Sequence, residues 1–322
     1  KVLKIHDLVT LYPFEGAVNR TSLVVIEKSG KTEFPIPCAM WHNPRSKGID
    51  QEAELEEIKK TTKQFDLVFI PIEKNKPESP WMETTEKSYE GLLKVVGSSP
   101  WYDSHEGVLT GLNQVYWIHI ISEEPNGLLI TNPPLSGQKK KIKMVKQIIE
   151  KDVVYPLIIG RDVKKWYVIG EYGYIIVPHT PNGDVISENK LKIGFPRTYN
   201  YFSCYKDVLI KRAIKPFLGK KSKTPFYRLD NIGDYTFSPY KVVWKRIAGA
   251  ITGKAVSFAS AVIKQVNDKF LGKKPLIPND SLILLSFNEK EEAYYVSGLL
   301  NSSILLLAIA SYTYELRQET HI

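Results

Sequence analysis

The chain has 322 residues, of which 43% are hydrophobic and 25% charged, and its formal net charge at pH 7 is +9. This composition is typical of a globular protein and excludes disordered and fibrous chains. The length allows two domains, or one large domain with an appendage. The two cysteines lie far apart in sequence, with no Cys or His at metal-ligand spacing around them. They argue against a structural zinc site and predict a reduced, cytoplasmic setting.

Positive charge is concentrated in one part of the chain. Residues 1–100 hold 14 Lys+Arg and 15 Asp+Glu, net −1, whereas residues 139–274 hold 28 Lys+Arg and 10 Asp+Glu, net +18, interleaved with 19 aromatic residues. A one-sided basic excess of this size predicts an electrostatic footprint for nucleic acid. An acidic membrane surface would instead favour a basic amphipathic helix or a juxtamembrane cluster, so we expect no membrane partner.

The first forty residues predict the closing strands of a domain. Segments 2–10 and 22–27 have the apolar enrichment of strands. No signal peptide is visible. The chain opens with Lys1 inside an apolar pattern and has no initiator Met. We therefore interpret it as a piece of a longer protein.

Two helical segments are predicted before residue 100. The charged segment 50–65 predicts a short solvated helix or a connector. Segment 84–96 has apolar residues at i, i+3, i+4 and i+7, which predicts an amphipathic helix with Thr84 or Thr85 as its N-cap.

Two further segments precede the most informative part of the chain. A glycine-punctuated loop from Trp101 is expected to run into a strand that ends near Ile121. Segment 138–151 is rich in lysine and has apolar residues at helical spacing, which predicts a helix. Its lysines are either a solvated face or phosphate contacts.

The stretch 153–179 carries the densest set of signals. Two apolar runs flank a polar turn with Arg161, Asp162, Lys164, Lys165 and Trp166. An arginine fork can grip phosphate or a guanine edge, a neighbouring carboxylate can fix that fork, and the indole offers a flat apolar face. The structural alternative is an ordinary turn with a local surface ion pair and a core tryptophan.

The last third of the chain alternates short helices and strands. We expect a short basic helix over 205–215 and strands over 240–247 and 281–287. Segment 293–314 has 22 residues without a charge, long enough for a membrane span. Because a glycine and an Asn-Ser-Ser run interrupt it, we predict two short buried helices instead.

Catalytic motifs are weak in this sequence. No two glycines stand as Gly-x-Gly, and no nucleophile elbow or metal-ligand cluster is present. The segment 131–135 is similar to the Asn-Pro-Pro-aromatic motif of amino-methyltransferases, but Leu135 replaces the aromatic ring, which favours a plain turn. Two carboxylate-x-Lys triplets, at 162–164 and 188–190, lack the companion Pro-Asp dipeptide of a metal-dependent nuclease.

An ordered set of motifs resembles a known family. The motifs are Pro13 to Thr21 (PFEGAVNRT), Ser79-Pro80-Trp81, Gly107 to Asn113 (GVLTGLN) with Tyr116, Tyr155 to Trp166, Pro225-Phe226-Tyr227, Pro239 to Ile247 (PYKVVWKRI), and Leu299 to Ser303 (LLNSS). Together they are similar to the C-terminal part of bacterial TaqI-like adenine-N6 DNA methyltransferases and of the fused restriction-modification enzymes that share their specificity domain.

The resemblance implies an α+β fold, a mixed sheet with peripheral helices, preceded by the last strands of an α/β methyltransferase domain. Residues 1–40 would be the remnant of the catalytic domain, 41–100 a connector with the amphipathic helix, and 101–322 the DNA target recognition domain. The expected partners are double-stranded DNA and the upstream methyltransferase domain. S-adenosylmethionine would serve the parent enzyme, and this chain alone would bind no cofactor and catalyse nothing.

The resemblance also assigns candidate DNA contacts. Asn113 could read adenine, Arg161 could grip guanine or phosphate, and Thr110 with the backbone of Gly111 could take a phosphate. The structural alternative is that Gly111 supplies a positive φ and Asn113 ties the turn to its own backbone. The complete set is Thr110, Gly111, Asn113, Arg161, Asp162, Lys164, Trp166, Arg228, Lys245 and Arg246.

Two other functions fit parts of the sequence. A basic module for RNA or single strands would stack bases on exposed aromatic rings such as Tyr199, Tyr201, Phe202 and Tyr227. A complete nuclease would work through the carboxylate-x-Lys triplets and would show Mg-dependent cleavage.

Overall fold

The computed structural model describes residues 1–14, 21–44, 48–73, 75–97, 99–134, 142–212, 224–248, 258–312 and 318–319. They form a mixed α/β protein with several sheets and helices, which agrees with the expected α+β class. The chain divides into two compact units. The first holds residues 1–99 and a C-terminal piece that starts at Ser302, and the second holds residues 100–247 and 258–301.

The first unit is built on a five-stranded sheet in the order β2-β1-β3-β4-β5. β1 and β3 are parallel, and the other neighbours are antiparallel. The elements are β1 (Val2–Asp7), β2 (Ser22–Ile26), β3 (Ile36–His42), α1 (Leu55–Thr61), β4 (Lys63–Pro71), β5 (Trp81–Thr84) and α2 (Glu86–Leu92). The two strands predicted in the first forty residues are therefore confirmed.

The two predicted helices of this unit are also present. α1 has no buried residue, as expected for a solvated helix, and the chain beyond Thr62 turns into β4. α2 follows the N-cap Thr85, whose hydroxyl accepts a hydrogen bond from the Ser88 amide, and it ends at Leu92, one turn earlier than predicted.

Strand β2 forms the edge of this sheet and is exposed over its whole length. Leu23 is 51% exposed and Ile26 68%, although both are apolar. By contrast, Ile5 and Ile36 in β1 and β3 lie in the core of the sheet. The apolar side chains of β2 are thus uncovered by the described part of the chain.

The remaining elements follow in chain order. They are β6 (His105–Glu106), α3 (Asn113–Tyr116), β7 (Trp117–Glu124), β8 (Gly127–Thr131), β9 (Lys146–Ile149), β10 (Val154–Ile158), β11 (Val163–Lys164), β12 (Tyr167–Val168), β13 (Gly173–Ile176), α4 (Glu188–Gly194), α5 (Pro196–Ser203), α6 (Lys206–Ile210), β14 (Tyr240–Lys245), β15 (Ile247–Ala248), β16 (Ser260–Lys264), β17 (Val266–Asp268), β18 (Gly272–Lys274), β19 (Ile277–Pro278), β20 (Leu282–Phe287), α7 (Lys290–Leu300), α8 (Ser303–Tyr312) and β21 (Gln318–Glu319).

Two sheets organise the second unit. One has six strands in the order β19-β10-β13-β7-β8-β9, and the other has four in the order β16-β14-β20-β6. The two apolar runs of the stretch 153–179 become β10 and β13, which pair antiparallel, and every residue of β10 is buried. The main core lies around these strands and the helices α5 and α6. Short 3-10 turns at Lys151–Val153, Gly160–Asp162 and Asp234–Phe237 connect strands.

The helix predicted over 138–151 is wrong for the residues that the structure describes. Lys146–Ile149 is strand β9, paired antiparallel with β8 from Leu128 opposite Ile149 to Thr131 opposite Lys146. Ile149 is fully buried by this pairing, so sheet formation overrides the helical spacing. Residues 138–141 of that prediction lie outside the described residues, as do residues 15–20 of the first motif, Leu135 and residues 213–215.

The uncharged C-terminal segment forms two helices, α7 and α8, separated at Asn301 and Ser302, as predicted. α8 is less buried than expected, because Ile304 is 60% exposed and Leu307 50%. In the described part of the chain no single helix is long and apolar enough to cross a membrane. Only α7 and α8 taken together reach that length and composition.

Candidate nucleic-acid interface

Loops of the second unit meet at the carboxyl end of β14. The Arg246 amide donates to the Ser281 carbonyl over 3.0 Å, and the Gly160 amide donates to the Ser281 hydroxyl over 2.7 Å. A Cβ on Gly160 would lie 3.0 Å from the Ser281 carbonyl oxygen, so the close approach favours glycine. Ser281 therefore brings the Gly160–Asp162 turn and the end of β14 together.

Arg161 and Asp162 differ sharply in exposure. The Asp162 carboxylate accepts the Ile159 amide over 3.2 Å and is 19% exposed, whereas the Arg161 side chain is 84% exposed. The Arg161 Nε lies 3.6 Å from the carboxylate, so the expected local ion pair is present. It leaves the terminal nitrogens of the guanidinium directed at solvent, where they can meet phosphate or a base edge.

Lys164 and Trp166 lie on the hairpin of β11 and β12. Val163 faces Val168 and Lys164 faces Tyr167, so Lys165 and Trp166 form the turn. The Trp166 amide donates to the carbonyl of Ser260, at the start of β16 and opposite the end of β14. Trp166 itself is 54% exposed, so the alternative of a core tryptophan is wrong. The hairpin tip thus lies at the same end of the sheet as Arg246.

Lys245 and Arg246 end β14 in a polar surrounding. Both are half-buried, and the Arg246 guanidinium lies 3.2 Å from the Glu106 carboxylate, which also accepts the Asn231 amide group over 2.9 Å. Burial raises the pKa of the nearby Asp280 carboxyl, and the charge of Arg246 opposes that rise. Arg246 is therefore held in place by an acidic partner rather than projecting like Arg161.

Thr110, Gly111 and Asn113 form a second group whose polar atoms are used within the chain. The Thr110 hydroxyl bonds to the Asn113 side-chain oxygen and accepts the Leu112 amide over 3.1 Å. Gly111 has φ +64 and is exposed, while Thr110 is buried. These contacts match the structural alternative for this loop. For DNA contact this loop therefore offers chiefly the exposed backbone of Gly111, since the Thr110 hydroxyl and the Asn113 side-chain oxygen are bonded to each other.

Arg212 organises this second group, and sequence reasoning missed it. Its guanidinium donates to the carbonyls of Thr110, Phe226 and Arg228, and it lies 5.2 Å from the centre of the Tyr116 ring. Arginine keeps its charge even where burial lowers its pKa, as it does here. No local pattern marks this role, because Arg212 follows Lys211 just beyond the end of α6. The Thr110 loop and the segment 226–228 are thus joined through one half-buried cation.

Arg228 lies in this second group and is largely enclosed. Its side chain is 13% exposed and lies 3.0 Å from the Asp230 carboxylate. The next residue, Leu229, donates its amide to Nε2 of His179, whose Nδ1 bonds to the Gly183 carbonyl. Burial lowers the pKa of His179 to about 4. His179 therefore serves as a neutral clamp on the segment that carries Arg228.

The weak catalytic motifs have structural roles. The Asn132 side chain donates to the carbonyls of Gln114 and Lys143 and accepts from the Val145 amide and the Tyr205 hydroxyl. It is buried, so the Asn-Pro-Pro segment is a structural turn. The Glu188 carboxylate binds Lys192 and the Tyr199 hydroxyl. Among the described residues, no group of three or more His, Cys, Asp or Glu could hold a metal ion.

The aromatic residues proposed for single-strand stacking are mostly internal. Tyr201, Phe202 and Tyr227 have no exposed surface, and the ring of Phe202 stacks on that of Tyr227 with centroids 5.5 Å apart. The two tyrosine hydroxyls donate to the backbone carbonyls of Val115 and Ile186. That part of the alternative is wrong, because these rings form the core. Tyr199 is half-buried and bonded to Glu188.

The fold and this surface define a class: a mixed α/β protein whose second unit presents a cationic loop cluster with an exposed tryptophan. In sequence, the chain is similar to the Type II methyltransferase M.NspV of Nostoc sp. (strain ATCC 29411 / PCC 7524), with 28% identity over 159 residues. The match covers 48% of this chain and 29% of that protein's length. No family model matches the chain. The similarity relates this chain to a methyltransferase over about half its length.

Proposed function

We propose that this chain recognises duplex DNA for an adenine-N6 methyltransferase of a restriction-modification system. The observation that carries the proposal is the cluster at the end of β14. There the 84% exposed Arg161, the strand residue Lys164 and the hairpin-tip residue Trp166 lie at the same end of the sheet as Lys245 and Arg246. The cluster belongs to the segment with net charge +18. The similarity to a Type II methyltransferase supports the same function.

The exposed and the enclosed cations have different roles in DNA binding under this proposal. Exposed cations supply most of the affinity for a phosphate backbone and set the register of the protein on the duplex. Arg161 has the planar fork that can bind O6 and N7 of guanine at once. Arg246, with its acidic neighbour Glu106, helps to position the loops that carry the exposed groups, whereas Arg228, with Asp230, belongs to the second loop group.

Methyl transfer requires S-adenosylmethionine, and the residues of this chain do not fit that cofactor. The sequence has no Gly-x-Gly loop for close backbone approach, and the Asn-Pro-Pro segment uses its amide internally. We therefore assign cofactor binding to an upstream methyltransferase domain. The apolar, uncovered edge strand β2 supports this partner, because a strand that is exposed on both faces suits the margin of a larger sheet.

The test is a binding titration of the chain against random-sequence duplex DNA, single-stranded DNA and duplex RNA at several salt concentrations. We expect preference for duplex DNA and a steep fall of log K with log salt. Arg161→Ala should reduce the steepness of that slope by about 0.9 for each phosphate that the variant no longer neutralises. The matched control is Lys60→Ala, because Lys60 is an exposed cation on α1 in the first unit.

Four outcomes contradict the proposal. Preference for single strands would favour the alternative module, and duplex RNA preference would favour an RNA function. An Arg161→Ala slope equal to that of Lys60→Ala would remove Arg161 from the interface. Mg-dependent cleavage of the duplex by the chain would instead indicate the nuclease.

A further inference from the structure

The hairpin of β11 and β12 has an unusual residue at its tip. Its two-residue turn consists of Lys165 and Trp166, and Trp166 has φ +78. That region of backbone space favours glycine, or asparagine among residues with a Cβ, and disfavours a bulky side chain. Local folding energetics would therefore place a glycine at this turn position rather than a tryptophan.

The core of the protein does not require this ring either. Trp166 is 54% exposed and its neighbour Tyr167 58%, whereas Val163 at the base of the hairpin is 1% exposed. Val163 and Val168 pack with Val243 and other residues of the four-stranded sheet. The hairpin base is thus part of the core, while the indole extends away from it. Neither backbone preference nor burial explains Trp166.

The tip is nevertheless held firmly. The Trp166 amide donates to the Ser260 carbonyl over 3.0 Å, and the Ile169 amide donates to the Asp162 carbonyl over 2.9 Å. Ser260 is in turn clamped by Asn301, which donates to its carbonyl and accepts its amide, both over 2.9 Å. An exposed ring on an anchored turn can enter a binding partner with little loss of conformational entropy.

Charge indicates what that partner is. The Lys165 ammonium lies 5.5 Å from the centre of the Trp166 ring, and the exposed Arg161 belongs to the adjoining turn. A flat apolar ring surrounded by cations suits a base stack flanked by phosphates, since proteins that distort DNA insert apolar wedges between base pairs. A protein partner would be expected to bring acidic side chains instead.

We propose that Trp166 is a wedge that enters a base-pair step of the bound duplex and unstacks it, an inference that rests on the proposed duplex recognition. Lys164, Lys165 and Arg161 hold the flanking phosphates while the ring takes the place of a neighbouring base in the stack. The free energy of unstacking is then offset by ring contact. A preformed break in the stack should consequently strengthen binding, and only when the ring is present.

The experiment compares two probes that differ at one position: a random-sequence duplex of about 25 base pairs, long enough to span a typical recognition interface, and the same duplex with a central abasic site. We expect the wild-type chain to bind the abasic duplex about tenfold more tightly, a difference of about 1.4 kcal/mol. Trp166→Gly should bind both probes with equal affinity. Trp166→Phe should keep most of the preference, because a phenyl ring can still stack.

Stability is measured on the same variants. Because glycine suits φ +78, the urea midpoint of Trp166→Gly should equal or exceed that of the wild type. Trp166→Asn, which also tolerates positive φ, provides a second variant without the ring. The control is Trp101→Ala, which removes an 81% exposed tryptophan. The neighbouring Tyr102 packs on Phe287, at the end of β20 that lies away from Lys245 and Arg246. The Trp101→Ala variant should keep the abasic preference.

The failures are distinguishable. If the wild type binds no duplex, the proposed function fails and the wedge with it. Duplex binding without an abasic preference, or a preference that persists in both Trp166→Gly and Trp166→Asn, overturns the wedge alone. A lower urea midpoint for both variants would mean that the Trp166 ring stabilises the fold, and it would also overturn the wedge proposal.

Discussion

The two loop groups of the second unit contain similar residue types but use them in opposite ways. Around Thr110 and Arg228, hydroxyl, amide and guanidinium groups are bonded to the chain itself, and one half-buried cation, Arg212, joins them. Around Arg161 and Trp166, the backbone is bonded and the side chains are exposed. The comparison shows that residue type alone does not mark a binding group; what matters is whether the fold has already used its polar atoms.

Removing Arg212 should have the largest effect. Arg212→Met removes the guanidinium that donates to the carbonyls of Thr110, Phe226 and Arg228. We expect a loss of about 3 kcal/mol or more in the free energy of unfolding, because hydrogen bonds to a charged group are strong and unsatisfied buried acceptors are costly. Urea unfolding measures this value.

Arg161→Met is the matched control, since it removes the same group from an 84% exposed site. It should change stability by less than about 0.5 kcal/mol. Equal effects of the two substitutions would contradict the distinction between the loop groups.

Acid should loosen the Arg228 group through His179. Burial lowers the pKa of His179 from 6.5 to about 4. Between these values the unfolded chain binds the proton more readily than the folded one. Stability that is fully present above pH 6.5 is therefore lost as the pH falls toward 4, by about 3 kcal/mol.

The measurement is the free energy of unfolding at about pH 7 and about pH 4.5, on either side of the ordinary histidine pKa, for the wild type and for His179→Gln. Glutamine can accept the Leu229 amide and donate to the Gly183 carbonyl but does not titrate in this range. The variant should show a shallower pH dependence. Identical pH profiles would mean that other groups cause the acid sensitivity.

A smaller effect is expected at Thr110. Thr110→Val removes the hydroxyl that bonds to Asn113 and to the Leu112 amide while keeping the shape of the side chain. The free energy of unfolding should fall by about 1 to 2 kcal/mol. The salt dependence of duplex binding should stay unchanged, as this hydroxyl is used internally. A reduced salt slope would instead move Thr110 into the interface.

Much of the secondary structure could be predicted from sequence. Strands such as β10, β14 and β20 are short, apolar and bounded by turn residues, and α2 has both period and cap. β9 could not be predicted, because the lysines and isoleucines of segment 138–151 satisfy a helical period equally well and pairing with β8 decides the outcome. The local pattern of apolar residues predicts the element correctly only where the helical or the strand period is clearly the stronger of the two.

The candidate site was less predictable than the strands. The Gly-Arg-Asp turn could be identified because its glycine and its carboxylate act close to the turn itself. Gly160 allows close approach of the backbone to Ser281, and the Asp162 carboxylate accepts the Ile159 amide three residues away. The burial of Tyr201, Phe202 and Tyr227 depends on packing between segments far apart in sequence, which composition does not contain. Arg212 was missed for the same reason: its acceptors come from 102, 14 and 16 residues away.

Strand β2 has a practical consequence for handling this chain in solution. An edge strand with apolar side chains exposed on both faces is a template for pairing with another copy. The chain alone is therefore prone to concentration-dependent self-association through the first unit, even though its net charge of +9 opposes aggregation. DNA binding by the second unit should therefore be measured at low protein concentration, where the chain is monomeric.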